Sequence, residues 1–352
     1  MRGVHQQYRP RTTCSLAIVE TDQDSSSALL PFLTIARLQM AQDTFHVPVL
    51  EREVVELFAR QPAGVVVDAT VGGAGHAVAL LNAAPHLRVL ALDRDPDARA
   101  VARARLTPFG LRARIVEATF ADLGQVITRE KDFVGTSPIV GVLMDLGVSS
   151  HQLDDATRGF SFRADAPLDM RMDPTRGETA ADLLARIDQH ELANLLRANG
   201  EVRFAGAIAK SVIESKPATT GELVIAVERA VPRAARRRGH VATRAFQALR
   251  VAVNDEVEQL SEGLDAAIDS LADGGVLAVI SYHSGEDRVV KQRLNDAATG
   301  GCRCPVELGC VCGAVPRVTI AKASAQLASA DEVAANPRAR SARLRVARKV
   351  AP

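Results

Sequence analysis

Two carboxylates in this 352-residue chain stand at the ends of apolar runs, where side chains can meet a ligand. Asp93 closes the run Arg88-Val-Leu-Ala-Leu92. It follows by about twenty residues the loop Asp68-Ala-Thr-Val-Gly-Gly-Ala-Gly-His76. Glycines between a buried strand and a helix allow a tight turn and close backbone approach to a nucleotide. An acid at the end of the next strand is placed to accept ribose hydroxyls. The strict G-x-G-x-x-G is absent, because Gly73-Ala-Gly75 runs on into His76, Ala77 and Val78. NAD and S-adenosylmethionine both suit the pattern. Asp68 would repel a pyrophosphate but sit well near a cationic methionyl group, so the sulfonium cofactor suits it better.

The second carboxylate, Asp145, ends the apolar run 139–144. About thirty residues with neither helical nor strand period follow, dense in Asp, Arg, Ser and Gly. A compact domain seldom carries so long an irregular segment unless it binds or reacts with something. A solvated linker would not interleave Phe160, Phe162, Leu168, Met170 and Met172 with its charges. The active site is expected here.

The elements that must position these groups follow from hydrophobic period. Strands are expected over 64–67, 88–92, 113–116, 139–144 and 276–281, and helices over 49–59, 76–83 and 99–106. Alternation of this kind predicts an α/β fold with a parallel sheet. The alternation stops after residue 174. Helical patterns follow at 183–196, 204–212 and 223–231, the last with Thr219 and Glu222 spaced as a capping box. A long helix is expected from Thr243, its apolar face running to Leu264. The expected organisation is a sheet domain over 43–157 and 241–352, with a helical subdomain inserted at 158–240. Residues 1–42 lack core-forming period and are expected to be a dispensable or disordered extension.

No apolar run approaches the ~20 residues of a spanning helix. Lys and Arg nearly balance Asp and Glu, at 43 against 42, yet two blocks are basic and free of acid. One holds Arg233, Arg236, Arg237, Arg238, Arg244 and Arg250, and the other runs from Pro337 to Lys349. Such blocks suggest a positive surface facing a polyanion. Four of the five cysteines form Cys302-x-Cys304-x5-Cys310-x-Cys312. One-residue gaps fit the usual structural zinc spacing poorly, so no metal is expected and the group reads as reduced or redox-sensitive loop thiols.

The ordered motifs D-A-T-V-G-G-A-G-H, L-D-R-D-P-D-A, M-D-L-G-V-S-S-x-Q-L-D, R-G-F-S-F, P-L-D-M-R-M-D-P, A-T-R-x-F-Q-A-L-R, V-N-D-E, S-Y-H-S-G-E-D-R and N-P-R-A-R-S-A-R-L-R resemble the ribosomal small-subunit RNA methyltransferase H family, also called MraW. The resemblance covers residue 45 to the C-terminus. It implies a Rossmann-like class I methyltransferase sheet with an inserted helical subdomain. It also implies S-adenosyl-L-methionine as cofactor, 16S rRNA of the small ribosomal subunit as partner, and a cytoplasmic location. The implied reaction is methylation of N4 of a decoding-centre cytidine. The implied cofactor contacts are Ala74, Gly75, His76, Asp93, Phe120, Asp145 and Gln152. Ala74 stands where the family has glycine, a change without cost if its φ is negative, and Tyr282 stands where the family has phenylalanine.

The exocyclic amine of cytosine is a poor nucleophile, and an acceptor for one N–H would help it react. Asp145 could orient that amine, contact the cofactor, or both. His283, in the segment after the strand expected beside the fourth, is the second catalytic candidate, and Tyr282 is the nearest aromatic for a splayed base. A same-fold methyltransferase acting on DNA or protein remains the alternative, as does an RNA-binding protein that keeps only the fold.

Overall fold

The structure, a computed structural model, describes residues 48–236, 241–305, 311–321 and 324–351. The expected N-terminal extension lies outside the described residues. Strands β1 (Gly64–Asp68), β2 (Leu87–Asp93), β4 (Ile139–Asp145) and β5 (Val276–Ser281) form where β-branched and aliphatic runs are covered on both faces, and β3 (Ala113–Glu117), with only Val116 buried, forms the edge. They pair in parallel in the order β3-β2-β1-β4-β5. Strands β6 (Val318–Ile320), β7 (Gln326–Leu327) and β8 (Arg343–Lys349) complete the sheet, with β8 antiparallel to β5 and the two short strands paired to β8. The fold is α/β and Rossmann-like. Sequence period did not announce β6, β7 and β8; β8, held between β5 and the two short strands, carries Arg343, Arg345 and Arg348 among its apolar residues.

Helices α1 (Glu51–Ala59), α2 (Gly75–Ala83), α3 (Pro96–Leu106), α4 (Leu123–Arg129) and α5 (Lys131–Val134) connect the first strands. After β4 come α6 (Ser150–Asp154), α7 (Ala180–Arg186), α8 (Gln189–Ala198), α9 (Ala205–Ser215), α10 (Thr220–Ala230), α11 (Thr243–Val253) and α12 (Glu256–Ser270). Then α13 (Ser284–Thr299) follows β5, and α14 (Ala330–Ala335) precedes β8. Among the described residues no helix is long and apolar enough to cross a membrane.

Side chains alternate between two cores, as a strand period of two demands. Val65, Val67, Leu90, Leu92, Val142 and Met144 pack with Leu264, Ile268 and Leu294 from α12 and α13. Val66, Val89, Ala91, Val140 and Leu143 face the other way, against Leu50, Phe58, Leu80 and Leu81. A third core belongs to the helices that interrupt the sheet. It joins Leu183, Leu196, Ile208, Val212, Leu223 and Val227 to Met170, Phe246 and Leu249, so it reaches back into the irregular segment and forward into α11.

Two expected helices are broken. The pattern over 183–196 is α7 and α8, because Asp188 caps a new start with Glu191 as its box partner. The long helix from Thr243 ends at Val253 and restarts at Glu256, with Asp255 between them at φ 50°. Apolar period alone carries straight through such a break. The capping box at Thr219 and Glu222 forms as its spacing predicts.

Candidate active site at the carboxyl edge of the sheet

Strand order reverses direction between β1 and β4, the switch point where open α/β sheets bind ligands. A cavity of about 850 Å³ opens there. It is lined by Gly75, His76, Asp93, Phe120, Asp145, Gln152 and His283, so seven of the eight residues expected as cofactor contacts or catalytic groups converge on it, with Tyr282 beside them. Ala74 is fully buried and does not line it. Neither does Asp68, whose side chain lies beneath the loop at 3% exposure. That corrects the expectation that Asp68 faces the ligand. Burial pushes its carboxyl up to about 7.

The glycine loop folds around Asp93. Gly72 N–H donates to Asp93 Oδ2 at 2.8 Å, and Asp95 N–H donates to Oδ1 at 2.9 Å. Both amides therefore aim the carboxylate at the cavity. Burial raises its carboxyl to about 6 in spite of them. Ala74, the residue before α2, adopts φ 61°, so the replacement of glycine places a methyl group in left-handed backbone. Gly75 opens the helix with Pro48 packed where a side chain would stand; a Cβ would lie 2.7 Å from the proline ring.

His76 Nε2 donates to the Val49 carbonyl at 2.9 Å, which leaves Nδ1 facing Asp145 Oδ2 at 3.8 Å. Burial lowers the His76 pKa and keeps the ring neutral. Asp145 N–H donates to Thr70 Oγ1, and Asp145 Oδ1 accepts the Tyr282 hydroxyl at 2.8 Å. Its side chain remains 24% exposed, toward the cavity. Burial pushes the carboxyl up to about 7, against the hydrogen bond from Tyr282.

His283 has no nitrogen to spare. It caps α13, its Nδ1 accepting from the Gly285 and Glu286 amides, while Nε2 sits 3.0 Å from Glu286 Oε1. Glu286 in turn accepts from the Tyr282 amide and pairs with Arg250, whose guanidinium grips Glu256 at 2.7 and 2.8 Å. Burial would raise the Glu286 carboxyl, but the hydrogen bond and charge of His283 and the charge of Arg250 hold it low. Both ring nitrogens of His283, the second catalytic candidate, are thus engaged by groups of α13 itself. Sequence reading missed this network because Arg250 was counted with a basic surface.

That surface is partly neutralised by acids from elsewhere in the chain. Arg236 turns inward to the Val231 and Glu228 carbonyls, and Arg244 pairs with Glu201 at 3.2 Å. Arg237 and Arg238 lie outside the described residues. In the C-terminal block Arg345 and Arg343 share Asp287, and Arg338 pairs with Asp154. Arg340, on the cavity wall, has no ion pair among the described residues.

The irregular segment is folded and stapled. Arg158, buried, donates to Asp95 at 3.1 Å and to the Met172 and Arg171 carbonyls. Gln152 Nε2 donates to the same Asp95 carboxylate at 2.8 Å while its Oε1 caps Ser149. From the other side Asn254 donates to the Met170 carbonyl and accepts from the Met172 amide, both at 2.8 Å. Arg158 and Asn254 could have been found from the R-G-F-S-F and V-N-D-E motifs, which nothing else required.

Among the described residues two buried atoms of cavity-lining side chains lack a hydrogen-bond partner, Arg94 Nε and Gln259 Oε1. Gln259 Oε1 is buried and accepts no hydrogen bond, one helical turn from Gly263, which packs against Phe120. A buried acceptor left open beside an aromatic ring fits the amino group of a purine laid on that ring.

The MraW methylase family matches residues 43–350. A ribosomal RNA small subunit methyltransferase H of Geobacter sp. (strain M21) is 48% identical over 316 residues, covering 88% of this chain and 100% of its own length. The protein of that name from Geobacter sulfurreducens is 48% identical over 312 residues, covering 87% and 99%. That from Heliobacterium modesticaldum is 46% identical over 312 residues, covering 87% and 98%. With the glycine loop, Asp93 and Asp145 converging on one cavity, and the match spanning nearly all of the described residues, the chain belongs to the MraW methylase family.

Proposed function

We propose that this chain is an S-adenosylmethionine-dependent methyltransferase of 16S ribosomal RNA, and that its acceptor is N4 of a decoding-centre cytidine. The reading rests most on one observation: two backbone amides aim Asp93 into the cavity that Asp145 also lines. Asp93 would hold the ribose hydroxyls, Phe120 the adenine face and Gln259 Oε1 the adenine amino group. Gly75, His76 and Gln152 shape the rest of the pocket, with Ala74 setting the turn. The cofactor supplies an electrophilic methyl group to the nucleophile presented to it.

Asp145 does the work on the acceptor. Tyr282 ties down Oδ1, leaving Oδ2 free to accept an N–H of the cytosine amine and favour a pyramidal nitrogen. A carboxyl raised to about 7 can also take up the proton that N4 must shed. The pocket lies below the sheet edge, so the base must be splayed from its stack to enter. The helices over 158–240 form the recognition subdomain, and Arg340 at the cavity wall meets a backbone phosphate. Ribosomal RNA as substrate implies work in the cytoplasm, on the small subunit or its precursor.

The deciding experiment incubates the protein with labelled cofactor and, in parallel, 30S particles, free 16S rRNA, DNA and protein. Label is expected in the RNA of the particles, as N4-methylcytidine after nuclease digestion. Label in DNA or protein alone would overturn the proposal.

A further inference from the structure

The loop between α13 and β6 carries a feature that methyl transfer does not use. Cys302, Cys304 and Cys312 bring their sulfurs within 4.8 Å of one another. A tetrahedral thiolate site with metal–sulfur bonds of about 2.3 Å requires sulfurs roughly 3.8 Å apart, so the group needs only a small contraction around an ion. We propose that these three cysteines bind a thiophilic divalent cation of the zinc type.

The sequence expectation of no metal treated each one-residue gap by itself. The fold brings the two limbs of the loop together instead. Gly301 N–H donates to the Asp296 carbonyl, Cys302 N–H to the Thr299 carbonyl, and Arg317 N–H to the Ala297 carbonyl, which anchors both limbs to the end of α13. Gly300 lies so close to Val315 that a Cβ would meet its backbone at 2.5 Å. Beyond this pinch the sulfurs converge from both limbs, and Cys304 N–H donates to Cys302 Sγ at 3.4 Å. An amide donated to a sulfur favours its thiolate form, the form a metal needs. Cys310 lies outside the described residues, and three thiolates suffice with a fourth position taken by another ligand.

The ion would be structural. Helix α13 has 16 residues and separates the loop from the cavity by about 24 Å at 1.5 Å per residue. A competing trio, Glu256, His283 and Glu286, lies at the cavity, but Arg250 already supplies its positive charge.

The test uses the full chain, reduced and stripped of metal, titrated with Co²⁺ as a spectroscopic stand-in for Zn²⁺. One equivalent should bind with sulfur-to-cobalt charge-transfer absorption, and Zn²⁺ should displace it. Cys304→Ser and the more exposed Cys312→Ser should lose most of the band, while Cys14→Ser should keep it. Cofactor binding should be unchanged in all three, which confirms that each has folded. Binding without a charge-transfer band places the ion on the carboxylates and histidine and overturns the proposal. So does a band that survives in Cys304→Ser, or recovery of the loop cysteines as a disulfide that excludes metal.

Discussion

The two sides of the cavity are built by different means. On the β1–β2 side the main chain does the positioning: amides of Gly72 and Asp95 hold Asp93, and left-handed backbone at Gly72 and Ala74 shapes the turn. On the β4–β5 side distant side chains do it. Tyr282 reaches Asp145 across 137 residues of sequence, and Arg250 joins Glu256 and Glu286 beneath His283. A backbone cradle depends on few residues and tolerates change in the others. A buried charge network fails as a unit, because each member leaves its partners unpaired.

The largest effect should come from breaking that network. In the Arg250–Glu256–Glu286 group the side chains are 14%, 10% and 6% exposed. Arg250→Ala strands two carboxylates and should cost about 3–5 kcal/mol of stability, read as a lower midpoint in chemical denaturation. Cofactor affinity of the folded fraction should hold, since the cradle on the other side is intact. Loss of only a few tenths of a kcal/mol would mean the network is a surface pairing and the contrast between the two sides is false.

The reciprocal test is Asp93→Ala. Calorimetry should show cofactor affinity weakened by about 1–3 kcal/mol, the cost of leaving polar partners without an acceptor. Stability should fall less than in Arg250→Ala, because the Gly72 and Asp95 amides lie at a cavity that water can enter. Unchanged affinity would remove Asp93 from the cofactor site.

The same contrast explains what could be read from sequence. The cradle was legible: strand, glycine loop and acid lie within 30 residues, and their spacing is local chemistry. The five parallel strands were legible too: β1, β2, β4 and β5 through the apolar runs that burial on both faces writes, and the edge strand β3 through its place in the alternation. The network was not. Nothing in the spacing of Arg250 distinguishes a buried guanidinium from the neighbouring arginines, and only the fold supplies Glu286. His283 illustrates the limit at a single residue, because its identity invites catalysis while its place at the start of α13 engages both ring nitrogens. The breaks at Asp188 and Asp255 escaped for a related reason: apolar period registers a face and overlooks a one-residue interruption.

Tyr282→Phe sharpens the comparison by removing one hydroxyl from the side-chain half. Phenylalanine is the residue the family pattern carries, so turnover should persist. Without the donor the Asp145 carboxyl, already raised to about 7 by burial, should climb further, by roughly one pH unit or 1.4 kcal/mol. If the carboxylate is the working form, the acid limb of the pH–rate profile moves up by that amount. The stability sign runs the same way. Asp68 and Asp145 at about 7 and Asp93 at about 6 all lie above their ordinary 3.8. The folded protein therefore holds more protons than the unfolded chain between about pH 4 and 7. Their stabilising contribution is complete below that window and is lost as pH rises through it. In Tyr282→Phe the loss should extend to higher pH. An unmoved rate profile would mean Asp145 does not titrate in catalysis.

The smallest effect is expected where the backbone half departs from the family pattern. Ala74 sits at φ 61° and is fully buried. Ala74→Gly relieves left-handed strain of about 1–2 kcal/mol. It also removes a buried methyl group worth about 0.8 kcal/mol and loosens the unfolded chain by about 0.4–1 kcal/mol. These nearly cancel, so stability should stay within about 0.5 kcal/mol of the parent, and cofactor affinity should not move, because the turn keeps its shape. A clear gain in stability would show that the methyl group packs poorly and the cradle is strained. A clear loss would show that the alanine has become part of the core beneath the loop, and that the backbone half also leans on side-chain packing.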